Sequence, residues 1–141
     1  MSVDLAHVHE VLRTALAALL TPLADGGMHW QRAQLPPAGA SYVLPMIVAG
    51  VTDDGTVRRY FGGGALWRGP ASVRCVATDL AGAETLARAV AAALPASSSV
   101  ADPAGGAPWT LALRMEPPRP ATPGASMAEV HLVVSVALER G

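Results

Sequence analysis

At 141 residues with a single cysteine, Cys75, the chain fits one domain with no internal disulfide, long enough to bury roughly 70% of its unfolded surface without staples. A formal charge of −1 excludes the global positive field on which non-specific nucleic-acid or anionic-lipid binding relies. All ten basic residues are arginines, and charged residues make up only 15% of the chain, against roughly 25% in ordinary soluble domains.

The first predicted element is a helix from about Asp4 to Leu20. Leu5, Val8, Leu12, Ala15, Leu16 and Leu19 form its apolar stripe, and Ser2 or Asp4 can cap it. The acidic Asp4 and Glu10, with no early basic cluster, argue against a signal peptide. No run reaches the ~18 apolar residues of a membrane-spanning helix. Pro22 ends the helix, Asp25-Gly26-Gly27 makes a turn, and Met28 to Leu35 reads as a short strand with Met28 and Trp30 inward.

After the Pro36-Pro37-Ala38-Gly39 loop, Pro45 to Val51 is apolar at every position, so a strand here needs cover on both faces. Helices can supply one cover and a neighbouring subunit the other. Thr52-Asp53-Asp54-Gly55-Thr56 is a turn signal that predicts a hairpin, with Val57 to Phe61 returning along the preceding strand. Gly62-Gly63-Gly64 breaks the chain, and residues 65–70 lead into the next unit.

Ala71 to Pro95 reads as a strand passing directly into an alanine-rich helix. Val73, Cys75 and Ala77 fall on one strand face and Arg74, Val76 and Thr78 on the other. Asp79 stands at the N-cap position, Ala83, Leu86, Ala87, Val90 and Leu94 form the buried stripe, and Pro95 stops the helix. Glu84 and Arg88 lie four apart on the outer face.

Residues 96–108 read as a flexible loop, Trp109 to Met115 as a strand, and Glu116 to Ser126 as a proline-rich loop. The last strand alternates, with Val130, Leu132, Val134, Val136 and Leu138 on one face. These elements predict one α+β domain over residues 1–141: two helices packed on one face of a mainly antiparallel β-sheet, with long loops at about 52–70, 96–108 and 116–127.

Few groups in this order carry chemistry. His7 and His9 are about 200° apart on a helix and cannot chelate one ion, so with Glu10 they read as helix-surface residues. His29 and His131 lie on separate strands. The triple glycine lacks the Lys-Ser/Thr of a phosphate loop, Asp53-Asp54 are explained by their turn, and Ser97-Ser98-Ser99 has no glycine-flanked elbow. Cys75 on a buried strand reads as an inert thiol. No catalytic, metal or cofactor-binding residue is assigned, and no enzymatic activity is expected.

Arg58-Arg59-Tyr60-Phe61, with Trp67-Arg68 close behind, is the one basic-aromatic cluster. Arginine and aromatic side chains are what protein interfaces concentrate; a plain hairpin surface is the alternative, and two short arginine pairs are thin for stacking on a nucleic-acid strand. These six, together with Arg119 in the proline-rich loop, are the candidate interface residues. The low charge fits a surface partly buried against other subunits, and it equally fits a chain whose apolar count is raised by alanine.

The order of elements carries a resemblance. An N-terminal amphipathic helix is followed by a Pro-Pro loop and Ser41-Tyr42-Val43-Leu44-Pro45-Met46-Ile47-Val48. The strand Ser72 to Thr78 then leads into Gly82-Ala83-Glu84-Thr85-Leu86-Ala87, a helix ends at Ala93-Leu94-Pro95, and alternating valines close the chain. This resembles the tail terminator, or tail-completion, proteins of long-tailed phages and of phage-derived particles such as gene transfer agents.

The resemblance implies a virion structural protein, a ring and usually a hexamer, at the head-proximal end of the tail tube. Its expected partners are further copies of itself, the major tail-tube protein and the head–tail connector or head-closure protein. DNA would only pass through the lumen, and no membrane or cofactor is implied. The expected location is the neck of the virion, with assembly in the host cytoplasm. Another neck component, head-closure or adaptor, is the nearest alternative; a small-molecule-binding α+β module is the alternative from a different class.

Overall fold

The apolar stripe of the first segment folds into α1 (Leu5–Leu20), which buries Val8, Val11, Leu12, Ala15, Leu16 and Leu20. A 3-10 turn at Thr21–Leu23 carries Pro22 and ends it. The computed structural model describes residues 5–30, 43–51, 55–59, 64–116, 122–123 and 128–141. Along it follow β1 (Met28–Trp30), β2 (Met46–Val51), β3 (Thr56–Arg59), β4 (Ala65–Ala77), α2 (Leu80–Ala93), β5 (Ser97–Val100), β6 (Trp109–Met115), β7 (Thr122–Pro123) and β8 (Ala128–Arg140).

The fold is α+β. Among the described residues, eight strands form a sheet of order β1-β2-β4-β8-β6-β5, with β3 beside β4 and β7 beside β8. Every pairing is antiparallel except β1 with β2. The helices pack on one face, where small residues of α2 (Ala83 and Ala87) let it lie close to the sheet. Asp79 caps α2 as its position predicts, its Oδ1 accepting from Gly82 N at 2.7 Å.

The inner face of β4 presents Ala65, Trp67, Ala71, Val73, Cys75 and Ala77, and that of β8 presents the alternating Val130, Leu132, Val134, Val136 and Leu138. The period of two in the sequence is thus the period of the core.

Three expectations change. The Asp-Gly turn does not fold β3 back onto β2. β3 pairs with the start of β4, Thr56 opposite Arg68 and Arg59 opposite Ala65, while β2 pairs further along the same edge, from Val51 opposite Ala71 to Met46 opposite Val76. Gly69 and Pro70 fall in the interval between these two ladders, so a proline with no N–H to donate sits where β4 has no partner on that side among the described residues.

The loops are also shorter than predicted. Residues 56–59 and 65–70, read as part of a 52–70 loop, are strand, and β5 occupies 97–100 at the start of the predicted 96–108 loop. In the 116–127 loop, residues 122–123 pair with β8. The part of the predicted strand beyond Trp30, the Pro-Pro loop and the triple glycine up to Gly63 lie outside the described residues.

Finally, β2 is buried on both faces, but its second face needs no neighbouring subunit at this point. Met46, Val48 and Val76 are 1–2% exposed within the single chain and form a small cluster of their own, with Leu44 packed against it.

Trp67 explains why two glycines flank it. Its side chain is fully buried, and the His9 ring meets it edge-on, with centroids 5.6 Å apart. A Cβ at Gly69 would lie 2.5 Å from the indole Cζ2. One at Gly55, where φ is +70°, would lie 2.4 Å from Arg68 O and 2.7 Å from the indole Nε1. Trp67→Ala is therefore expected to cost about 3–5 kcal/mol, read as a lowered urea midpoint, or to prevent folding outright.

Candidate protein-interaction surface

Because side chains alternate along a strand, the residues between the core positions of β3, β4, β6 and β8 share the sheet face opposite the helices. At the β3–β4 end this face carries Thr56, Arg58, Leu66 and Arg68, which line a shallow depression of about 390 Å³. Arg58 stands opposite Leu66 and Thr56 opposite Arg68. Leu66 is half-buried, the other three are exposed, and Glu139 of β8 lies across from Leu66. Further along, exposed Arg114 faces exposed Ser135. Arg74 is occupied by Glu129, its Nε 3.4 Å from Oε1.

The predicted interface cluster is divided by this geometry. Arg58 and Arg68 are on the open face, as an interface residue must be. Trp67 is not: it points the other way into the core, because its neighbours in sequence take the opposite side of the strand. Of Arg59 only the backbone is described, paired with Ala65. Tyr60, Phe61 and Arg119 lie outside the described residues.

The two helix histidines are not surface residues either. His9 is buried against Trp67, and His7 turns toward the sheet's far end, consistent with their wide separation about the helix axis. There it meets Asp102, a residue without any warning in the sequence beyond its Asp-Pro step. The Asp102 side chain is fully buried. Its Oδ2 accepts from His7 Nε2 at 2.7 Å, Trp109 Nε1 at 2.9 Å and Arg140 Nη1 at 2.7 Å, and its Oδ1 accepts from Ala104 N at 2.8 Å. The bond from His7 requires the proton on Nε2. The Arg140 guanidinium also lies 4.9 Å from the centroid of the Trp109 ring.

This cluster ties α1, the β5–β6 connection, β6 and β8 to one carboxylate. Burial pushes the Asp102 pKa upward. Hydrogen bonds from Trp109, His7 and the Ala104 N–H, together with the charge of His7, outweigh burial and hold it at about 2, against an ordinary 3.8. Every one of these partners also holds the site closed, so the arrangement is a structural clamp. Among the described residues no group of three or more His, Cys, Asp or Glu could hold a metal ion.

No protein-family model matches the sequence, and no curated protein matches it. The solved structures that match include two that cover nearly the whole chain. One, whose name describes no function, has a TM-score of 0.56 at 21% identity, covering 100% of this chain and 98% of that one. The other is described as the virion of a native gene transfer agent (GTA) particle, with a TM-score of 0.45 at 24% identity, covering 96% and 94%. The first likeness shows a shared fold over the whole chain; the second superposition is too loose to carry an argument.

Two measurements check the buried groups. Asp102 has a folded pKa below its unfolded value, so its contribution is complete above about pH 4 and is lost as pH falls through about 2. The stability lost over that window is about 2 kcal/mol, visible in urea melts, and Asp102→Asn should abolish that part of the slope while lowering stability at pH 7. Burial, aided by the charge of Glu129, pushes the Cys75 thiol up to about 12. An aromatic disulfide reagent at pH 8 should leave native Cys75 unmodified and react with one thiol per chain after unfolding in urea.

Proposed function

We propose that the protein is a virion structural protein that caps a phage-type tail tube as a ring, six subunits being the expected number. The ring stops tube growth and presents its other surface to the head-side connector. It works at the neck of the particle after assembling in the host cytoplasm, without catalysis and without a cofactor, and DNA passes through its lumen. The resemblance to tail terminator proteins is the ground for this role. The observation that carries it is the order of elements: an amphipathic first helix, a strand buried on both faces, a strand passing straight into a capped small-residue helix, and a long alternating last strand.

The open sheet face supports the same role. A structural subunit needs exposed surfaces that hold partners, and the β3–β4 end offers Arg58 and Arg68 around a half-buried leucine. In a ring the contact between neighbours is head-to-tail, so each subunit must carry two different patches rather than one self-complementary patch.

The test mixes the purified protein with polymerising tail-tube protein from the same particle. Electron microscopy should show tubes of limited length with a ring at one end, and mass measurement of the ring should give a multimer near six. Tubes that grow to the same lengths with and without the protein, and bind none of it, would remove the proposal.

A further inference from the structure

We propose that the first turns of α2 on one copy seat against the β3–β4 depression of the next copy, and that this is the repeating contact between subunits. The contact deepens the ring proposed above and rests on that reading for its closure.

Leu80 is one of two large apolar side chains exposed among the described residues, at 39% of its surface. It opens α2 with exposed Asp79 beside it and exposed Glu84 one turn on, so apolar and acidic groups share one helix face. The depression on the opposite layer has the reverse character: half-buried Leu66 between exposed Arg58 and Arg68. None of Asp79, Glu84, Arg58 and Arg68 is in an ion pair among the described residues. The capping bond of Asp79 uses Oδ1 alone.

The opposing charges also match. Glu139 lies across from Leu66 on the receiving face, and Arg88 stands four residues beyond Glu84 on the docking helix, exposed and able to answer it. One patch thus carries two acidic groups, an apolar one and a basic one, and the other carries two basic groups, an apolar one and an acidic one. Such complementarity selects one register and disfavours others. One patch is on the helix layer and the other on the bare side of the sheet, so a copy that docks through one leaves the other free. The contact is therefore heterologous, and it propagates until rotation closes it.

A charge exchange tests this. Arg68→Glu and Glu84→Arg should each weaken self-association about tenfold in sedimentation equilibrium at low salt, and the double variant should return most of it. Both positions are exposed, and circular dichroism melts close to wild type would confirm that folding is unchanged. Single variants that associate like wild type, or a double variant as weak as the singles combined, would overturn the contact. If wild-type rings still form on tubes and the exchanges have no effect, the contact fails and the ring stands. If the wild type stays monomeric even with tubes present, ring and contact fail together.

Discussion

The pairing of β4 with β8 is the constraint on which the rest of the structure depends. Thirteen consecutive residue pairs, from Ala65 opposite Arg140 to Ala77 opposite Ala128, lock the two longest strands in a single register. A shift of one residue would turn Val130, Leu132, Val134, Val136 and Leu138 to the bare face and bring Glu129, His131, Ser135 and Glu139 inward. All other strands are placed by this ladder. β2 and β3 divide the outer edge of β4, β6 and β7 divide the outer edge of β8, and β1 and β5 close the sheet at its two ends. The helices then cover the one face on which both central strands are apolar up to Arg140 at the end of β8.

At the far end of the same ladder, Asp102 performs a different task. The hydrophobic face supplies most of the drive to fold, but it is non-directional. A buried carboxylate with four donors has one geometry in which it is satisfied. His7, Trp109 and Arg140 come from α1, β6 and β8, so their convergence fixes how the first helix sits on the sheet's edge. A charge removed from water this completely gains over an apolar substitute mainly in uniqueness of arrangement.

Much of the layout was legible because it is local. Cap, stripe and proline stop of α2 follow from Asp79, Leu86, Val90 and Pro95 within one short segment, and the faces of β8 follow from its alternation. The failures are of another kind. Nothing near Asp102 in the chain signals partners that lie 7, 38 and 95 residues away. The Asp53-Asp54-Gly55 signal predicts a hairpin, but β3 runs in the same direction as β2, both antiparallel to β4, whose extension through Pro70 a sequence pattern disfavours. Trp67 was grouped with its arginine neighbours by proximity, whereas a strand separates adjacent residues to opposite faces. The same alternation leaves Arg58 and Arg68, two of the seven candidates, on the open face.

The shared edge of β4 has a further implication for how such a chain can diverge. β2 and β3 hold separate ladders on one side of a continuous strand, and Gly69-Pro70 marks the gap between them. In chain order, the connection from Val51 to Thr56 and that from Arg59 to Ala65 link the strands that form these ladders. Residues gained or lost there leave both registers, and the long β4–β8 ladder behind them, untouched. The receiving face of the sheet can therefore change its outline through connection length alone, while the core that supports it stays the same.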